Sequence, residues 1–131
     1  MSKLRQEIRK CLSAVEPGAG DSMVGRLAFP ADFIGFRGHF PGNPILPGVC
    51  LVESALVILE ARSPAPLHLK EISSAKFFSP VAPDTKVEIV CRVRPLPDAS
   101  LRLEATASSG GRKVAALVLM VNRNSTPAGE A

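Results

Sequence analysis

The chain has 131 residues, of which 46% are hydrophobic and 21% are charged, so it is long and apolar enough to form one globular domain with its own core. The net charge of +4 comes from scattered basic residues, and the six aromatic residues are all phenylalanine, which argues against a nucleic-acid-binding protein. An anionic substrate or an acidic protein partner fits this mild charge better. The mean hydropathy of +0.18 predicts that a partner subunit covers some apolar surface.

The cysteines and histidines limit the chemistry further. Cys11, Cys50 and Cys91 lie far apart and form no Cys-x-x-Cys pair, and no hydrophobic leader is visible, so we expect a reduced, cytoplasmic protein. Of these, Cys50 and Cys91 are expected to be small core residues. No apolar stretch is long enough for membrane insertion. Because His39 and His68 lack clustered thiol or carboxylate neighbours, we expect no metal site, and we expect no bound cofactor.

The first predicted element is a short amphipathic helix over about residues 2–14, in which apolar residues recur at helical spacing. We expect its basic residues to face solvent: Lys3, Arg5, Arg9 and Lys10. A loop is predicted from Glu16 to Asp21, and a strand is predicted from Met23 to Phe29.

The next segment, residues 38–49 with the sequence GHFPGNPILPGV, places His39 among three prolines and three glycines, which prevent a regular helix or strand. The apolar run from Gly48 to Arg62 is too long for a typical strand and therefore predicts a helix. Since apolar residues cover nearly all of its faces, this helix should be buried. Glu53 is the single carboxylate in the middle of the run, and together with His39 it suggests an acid–base pair.

The rest of the chain is predicted to form strands. Short strands are predicted over residues 67–72 and 75–78, alternating half-buried strands over 87–94 and 101–107, and a central strand, apolar on both faces, over 114–121. The tail over residues 124–131 is expected to fray. A long buried helix with several antiparallel strands predicts a single α+β domain, in which a curled sheet surrounds the helix. Such a sheet leaves an edge strand open, which pairing between two copies would cover.

The segment His39-Phe40-Pro41-Gly42-x-Pro44-x-x-Pro47-Gly48-Val49, with Glu53 fourteen residues after the histidine, resembles the 3-hydroxyacyl-[acyl carrier protein] dehydratases (FabZ/FabA-like) of the hot-dog fold. Residues 75–84 are similar to a strand and turn of the same family, although the glycine that usually precedes the final aspartate is missing. The resemblance runs from about residue 29 to residue 121, and it implies a hot-dog fold with a curled antiparallel sheet around one long central helix.

The resemblance implies a role for three residues. His39 would remove the proton alpha to a thioester, and Glu53 would protonate the departing 3-hydroxyl group as water. The backbone N–H of Gly48 would receive the thioester carbonyl, a role that suits a helix N-terminus and a residue without a Cβ atom. Further substrate contacts are expected from Arg37, Phe40, Pro47, Val49 and Lys76.

The resemblance also implies partners. The substrate would be carried on the phosphopantetheine arm of acyl carrier protein, and the enzyme would be a homodimer or a higher homo-oligomer built from dimers. Two other functions stay open: a hot-dog acyl thioesterase and a non-catalytic acyl-binding subunit. Retention of both His39 and Glu53 argues against the non-catalytic subunit, because a buried acid without a task costs stability. The chain has no tyrosine and lacks the family's usual aromatic–Pro-Phe-Leu segment, so general and specialised lipid pathways are equally compatible.

Overall fold

The computed structural model describes residues 3–37, 42, 44–63 and 65–123. The elements in chain order are α1 (Lys3–Cys11), β1 (Leu12–Pro17), β2 (Met23–Ala28), a 3-10 turn (Ile34–Phe36), α2 (Gly48–Glu60), β3 (Leu67–Phe77), β4 (Lys86–Pro95), β5 (Leu101–Ser109) and β6 (Arg112–Arg123). The strands form one antiparallel sheet in the order β1-β2-β4-β5-β6-β3. The predicted α+β class is confirmed, as is the buried central helix.

Helix α2 is the centre of the core because its sequence is apolar on nearly every face. Nine of its residues are buried: Cys50, Leu51, Val52, Ser54, Ala55, Leu56, Val57, Ile58 and Leu59. Alternate residues of β4, β5 and β6 are buried on the inner face of the sheet, for example Val87, Ile89 and Cys91 on β4. The helix begins at Gly48, directly after an extended Pro47, which fits the preference of helices for proline near their first turn.

The N-terminal part of the fold differs from the prediction. Helix α1 ends at Cys11, and the chain continues as strand β1, although the helical spacing extended to about residue 14. In β1, Val15 pairs with Gly25 of β2, so backbone pairing with a neighbouring strand outweighs the local helical pattern. The predicted loop is correspondingly shorter, because Glu16 and Pro17 belong to β1.

Strand β3 also differs from the prediction, which divided it into two pieces. It is one strand, and its pairing with β6 shifts register twice, between Leu69 and Glu71 and between Ile72 and Ser74. These irregularities explain why its sequence lacks a clean alternation. β6 lies between β5 and β3, inside the sheet as predicted, whereas β3 is an edge strand of the described sheet.

The contact between β2 and α2 yields a test of this packing. Gly25→Ala should destabilise the fold by about 1–3 kcal/mol, because overpacking a buried contact forces side chains to shift. The added Cβ would lie 2.3 Å from Cδ1 of Ile58, which is fully buried. Urea unfolding measures the loss. Combining Gly25→Ala with Ile58→Ala removes the clash, so the double variant should lose less stability than the two single losses added together. Strict additivity would contradict this packing.

Candidate active site

Glu53 lies on the face of α2 that packs against α1. Its Oε1 accepts a hydrogen bond of 2.6 Å from Nε of Arg5, and only 17% of its side chain is exposed. Arg5 is itself 14% exposed. Glu53 therefore does not lie at a water-facing edge of its helix, and the prediction that the basic face of α1 is solvated is wrong at Arg5.

Arg5 and Glu53 belong to a larger polar network between three elements. Nη1 of Arg5 donates to Oε2 of Glu60 and to the carbonyl of Leu67, both at 2.9 Å. Arg9 donates to the other oxygen of Glu60 at 2.6 Å, and the backbone N–H of Leu67 donates to Oε2 at 3.0 Å. The Glu60 side chain is only 6% exposed, and ion pairs this far from solvent persist where hydrogen bonds satisfy the charges.

Sequence reasoning missed these arginines as site residues, although a signal was present. Arg5 and Arg9 are four residues apart, and Glu53 and Glu60 are seven apart, so each pair lies on one face of its helix. A pair of arginines on one helix and a pair of glutamates on another can form a shared network of ion pairs if the two helices pack together. Nothing in the sequence fixes which faces meet.

Gly48 occupies a different side of α2. A Cβ atom added there would lie 2.6 Å from Cζ of Phe77, so the phenylalanine ring rests directly on the glycine backbone. An apolar cavity of about 320 Å³ opens beside it and is lined by Leu51, Phe77, Phe78 and Val81, among others. The N–H of Cys50 donates to the carbonyl of Pro47 at 3.0 Å, but the N–H groups at the very start of a helix have no intrahelical acceptor, so Gly48 offers a hydrogen-bond donor beside this cavity.

The backbone N–H of Gly48 and the carboxyl group of Glu53 are separated both along the axis of α2 and around it. Five residues of α-helix correspond to a rise of about 7.5 Å and a rotation of about 140°. Gly48 accordingly faces Phe77 of β3, while Glu53 faces Arg5 of α1. Val49, one turn before Glu53, is 56% exposed, so the surface near the carboxylate is open and apolar.

The other predicted site residues have mixed outcomes. His39 and Phe40 lie outside the described residues. Pro47 directly precedes α2, and Lys76 is exposed on β3. Arg37 is exposed and lines a separate surface groove beside α1, away from the cavity at the start of α2.

The two core cysteines contribute no reactive thiolate. Burial raises the pKa of Cys50 to about 11 and the pKa of Cys91 to about 12, so both are protonated near neutral pH. Both are core residues, as predicted.

In the ranges that the structure describes, no group of three or more His, Cys, Asp or Glu side chains could hold a metal ion. Over the same ranges, no helix is long and apolar enough to cross a membrane.

The antiparallel sheet around one buried helix defines a hot-dog domain, and solved structures share this fold. The dehydratase heterocomplex ApeI:P from Xenorhabdus doucetiae aligns with a TM-score of 0.70 at 19% identity, over 86% of this chain and 96% of that one. Cj0977 from Campylobacter jejuni, a sigma28-regulated virulence protein, aligns with a TM-score of 0.69 at 8% identity, over 95% of this chain and 98% of that one. At these identities the likeness establishes the fold alone.

Sequence comparison identifies the family. The ApeI-like family, described as ApeI dehydratase, matches residues 15–116, and this chain belongs to it. The chain is also 34% identical over 113 residues to the 3-hydroxyacyl-[acyl-carrier-protein] dehydratase FabZ of Anaeromyxobacter sp. (strain Fw109-5), covering 78% of this chain and 70% of the relative. The FabZ of Wolbachia sp. subsp. Drosophila simulans (strain wRi) is 31% identical over 107 residues, which are 76% of this chain and 73% of the relative.

Thiol labelling tests the burial around α2. In native protein at pH 8, iodoacetamide should modify the half-buried Cys11 first and leave Cys50 and Cys91 unmodified, because both thiols are buried and protonated. Labelling of these two should become rapid only in urea, or as the pH rises toward their raised pKa values. Peptide mapping by mass spectrometry assigns the sites. Rapid native labelling of Cys50 would show that α2 is accessible.

Proposed function

We propose that this chain dehydrates a 3-hydroxyacyl thioester carried on acyl carrier protein and releases the trans-2-enoyl thioester and water, in fatty-acid synthesis or a related lipid or polyketide pathway. The observation that carries the proposal is Glu53, a shielded carboxyl group on an apolar helix whose N-terminus borders an apolar cavity. Membership of a dehydratase family supports it, as do relatives named 3-hydroxyacyl-[acyl-carrier-protein] dehydratase.

In the proposed reaction, His39 takes the proton from the carbon alpha to the thioester. The thioester oxygen, which gains negative charge, is stabilised by the N–H of Gly48 and by the positive end of the α2 dipole. The bond between C3 and the hydroxyl oxygen then breaks, and Glu53 supplies the proton with which that oxygen leaves as water. A double bond remains between C2 and C3. Hydroxide is a poor leaving group, so this second proton is as important as the base.

The carrier protein and the acyl chain would contact different parts of the surface. Arg37 and Lys76 are exposed and basic, and they would meet the phosphate of the pantetheine arm or acidic groups of the carrier. The acyl chain would contact Phe40, Pro47 and Val49.

A cytoplasmic location is supported by the three free cysteines.

We also propose a homodimer in which the β3 edges of two copies pair, alone or within a larger assembly. β3 is eleven residues long and lies at the edge of the described sheet. Its surroundings expose large apolar side chains, including Ile72, Phe77 and Phe78. Long apolar edges are normally covered. Since the cavity at Gly48 borders the end of β3, a partner would lie beside the site, and His39 of one copy would act with Glu53 of the other.

Removal of either catalytic group should abolish dehydration without unfolding the protein. His39→Ala and Glu53→Gln are each expected to lower turnover by about 10²–10⁴-fold, the usual contribution of a positioned acid or base. His68→Ala and Glu104→Gln change the other histidine and a partly exposed carboxylate, and serve as matched controls. Circular dichroism checks folding. Full activity of a folded His39→Ala or Glu53→Gln variant would remove that residue from the mechanism.

The assay itself separates the alternative functions. Incubation with a 3-hydroxyacyl carrier protein should give a conjugated enoyl thioester, which mass spectrometry detects as a loss of water. A free acid and a free carrier thiol would indicate a thioesterase. An unchanged substrate would indicate an acyl-binding subunit without catalysis.

Mixing the two inactive variants tests the shared site. If each site takes His39 from one copy and Glu53 from the other, a mixed dimer of His39→Ala and Glu53→Gln chains contains one intact site. Random re-pairing after denaturation and refolding should recover about a quarter of wild-type activity, because about half of the dimers are mixed and each has one of two sites. Native mass spectrometry confirms mixing. Mixed dimers without activity would place both residues in the same copy.

A further inference from the structure

We infer that Arg5 is a positioning residue for the dehydration: it holds Oε1 of Glu53 so that Oε2 faces the departing hydroxyl group. This inference rests on the proposed function, and it concerns a residue outside the segment that matches the dehydratase family, which begins at residue 15. The contact is direct, since Nε of Arg5 donates to Oε1 of Glu53 at 2.6 Å.

Arg5 is held independently of Glu53. Its Nη1 donates to Glu60 and to the carbonyl of Leu67, each at 2.9 Å. Glu60 is in turn fixed by Arg9 at 2.6 Å and by the N–H of Leu67 at 3.0 Å. The planar guanidinium group is thereby fixed from the α2 terminus and the start of β3, and its Nε remains directed at Glu53. An anchored donor of this kind restricts the rotamers of the carboxyl group that it binds.

The arrangement divides the two oxygens of Glu53. Oε1 is bound by Arg5, whereas Oε2 has no hydrogen-bond partner among the described residues. In the acid form of Glu53 the proton would therefore lie on Oε2, because Oε1 already accepts from the guanidinium group. The neighbouring Val49 is exposed, so the surface beside Glu53 is open to a substrate or a partner subunit. Because Arg5 fixes Oε1 of Glu53, the position of Oε2 is also set, and in this way Arg5 would position the carboxyl group for proton transfer.

The alternative is that Arg5 only joins α1 to α2. Arg9 offers a control, because its 2.6 Å ion pair with Glu60 joins the same two helices and does not involve Glu53, although its side chain is more exposed than that of Arg5, 38% against 14%. Without Arg9, Glu60 still accepts from the N–H of Leu67 and from Arg5, so Arg5 keeps its anchor. Arg9→Gln therefore measures what loss of an inter-helix ion pair does to the enzyme. A merely structural Arg5 would lower the melting temperature, as loss of Arg9 does, without a selective loss of kcat.

The experiment compares kcat, KM and thermal stability for wild type, Arg5→Gln, Arg5→Lys and Arg9→Gln. Arg5→Gln should lower kcat by about 10- to 100-fold with little change in KM, since misplacement of a catalytic group by about 1 Å has effects of this size. Arg9→Gln should lower the melting temperature without a comparable loss of kcat. Arg5→Lys should recover part of the kcat, because an ammonium group supplies charge without the guanidinium fork.

A second comparison tests whether the effect passes through Glu53. In a Glu53→Gln background, adding Arg5→Gln should cause no further loss of the residual kcat, because the group that Arg5 positions is already absent. Equal kcat losses in Arg5→Gln and Arg9→Gln, or losses that multiply in the double variant, would overturn the inference. If Arg5→Gln does not fold, Arg5→Lys decides: an unchanged kcat overturns the inference, and a lower kcat at constant KM supports it.

Failure of the proposed dehydratase function would give a different experimental result from failure of the positioning role of Arg5. Wild-type protein that leaves the 3-hydroxyacyl substrate unchanged, or hydrolyses it, rejects the dehydratase itself and with it any positioning role in dehydration. Wild-type protein that dehydrates the substrate while Arg5→Gln behaves like Arg9→Gln rejects the positioning role alone.

Discussion

The rest of the structure depends on the burial of α2. A helix that is apolar on nearly every face cannot lie on a surface, and a single flat sheet covers only one side of it. The antiparallel sheet solves this by packing its inner face around the helix, closely enough that β2 has room only for a glycine opposite Ile58. The cavity at the helix N-terminus is the remaining space between α2 and the end of β3. Core packing and the substrate site are therefore set by the same element.

The polar residues of α2 set a second constraint. Glu53 and Glu60 lie on one face of the helix, and α1 covers that face, so the two shielded carboxylates need charged or hydrogen-bonding partners in place of water. α1 supplies two arginines, and the start of β3 supplies a backbone N–H and a carbonyl. The carboxyl group proposed for proton transfer is thus part of the contact that attaches the N-terminal helix to the domain. The same charged residues therefore contribute both to the stability of the domain and to the proposed chemistry.

The sequence was sufficient for those features that depend on local pattern. The length and apolar character of α2 predict a buried helix, and the alternation in β4 and β5 predicts half-buried strands. Tertiary contacts decided the rest. α1 stops at Cys11 because the following residues pair with β2, and no local signal marks that change. The link between Arg5 and Glu53 joins residues 48 positions apart, so it follows from how two helices pack and not from either sequence segment.

The two register shifts in β3 bear on which strands this edge can accept. They lie near the middle of the strand, between Leu69 and Ser74, so in the proposed dimer an antiparallel copy would meet each irregularity with an irregularity of its own. An extended segment of another protein, with regular spacing of its backbone donors and acceptors, would match only one half of the strand at a time. The edge therefore discriminates against open-ended strand addition, the route by which exposed edges lead to aggregation. Selectivity of this kind resides in the backbone and does not require charged side chains along the edge.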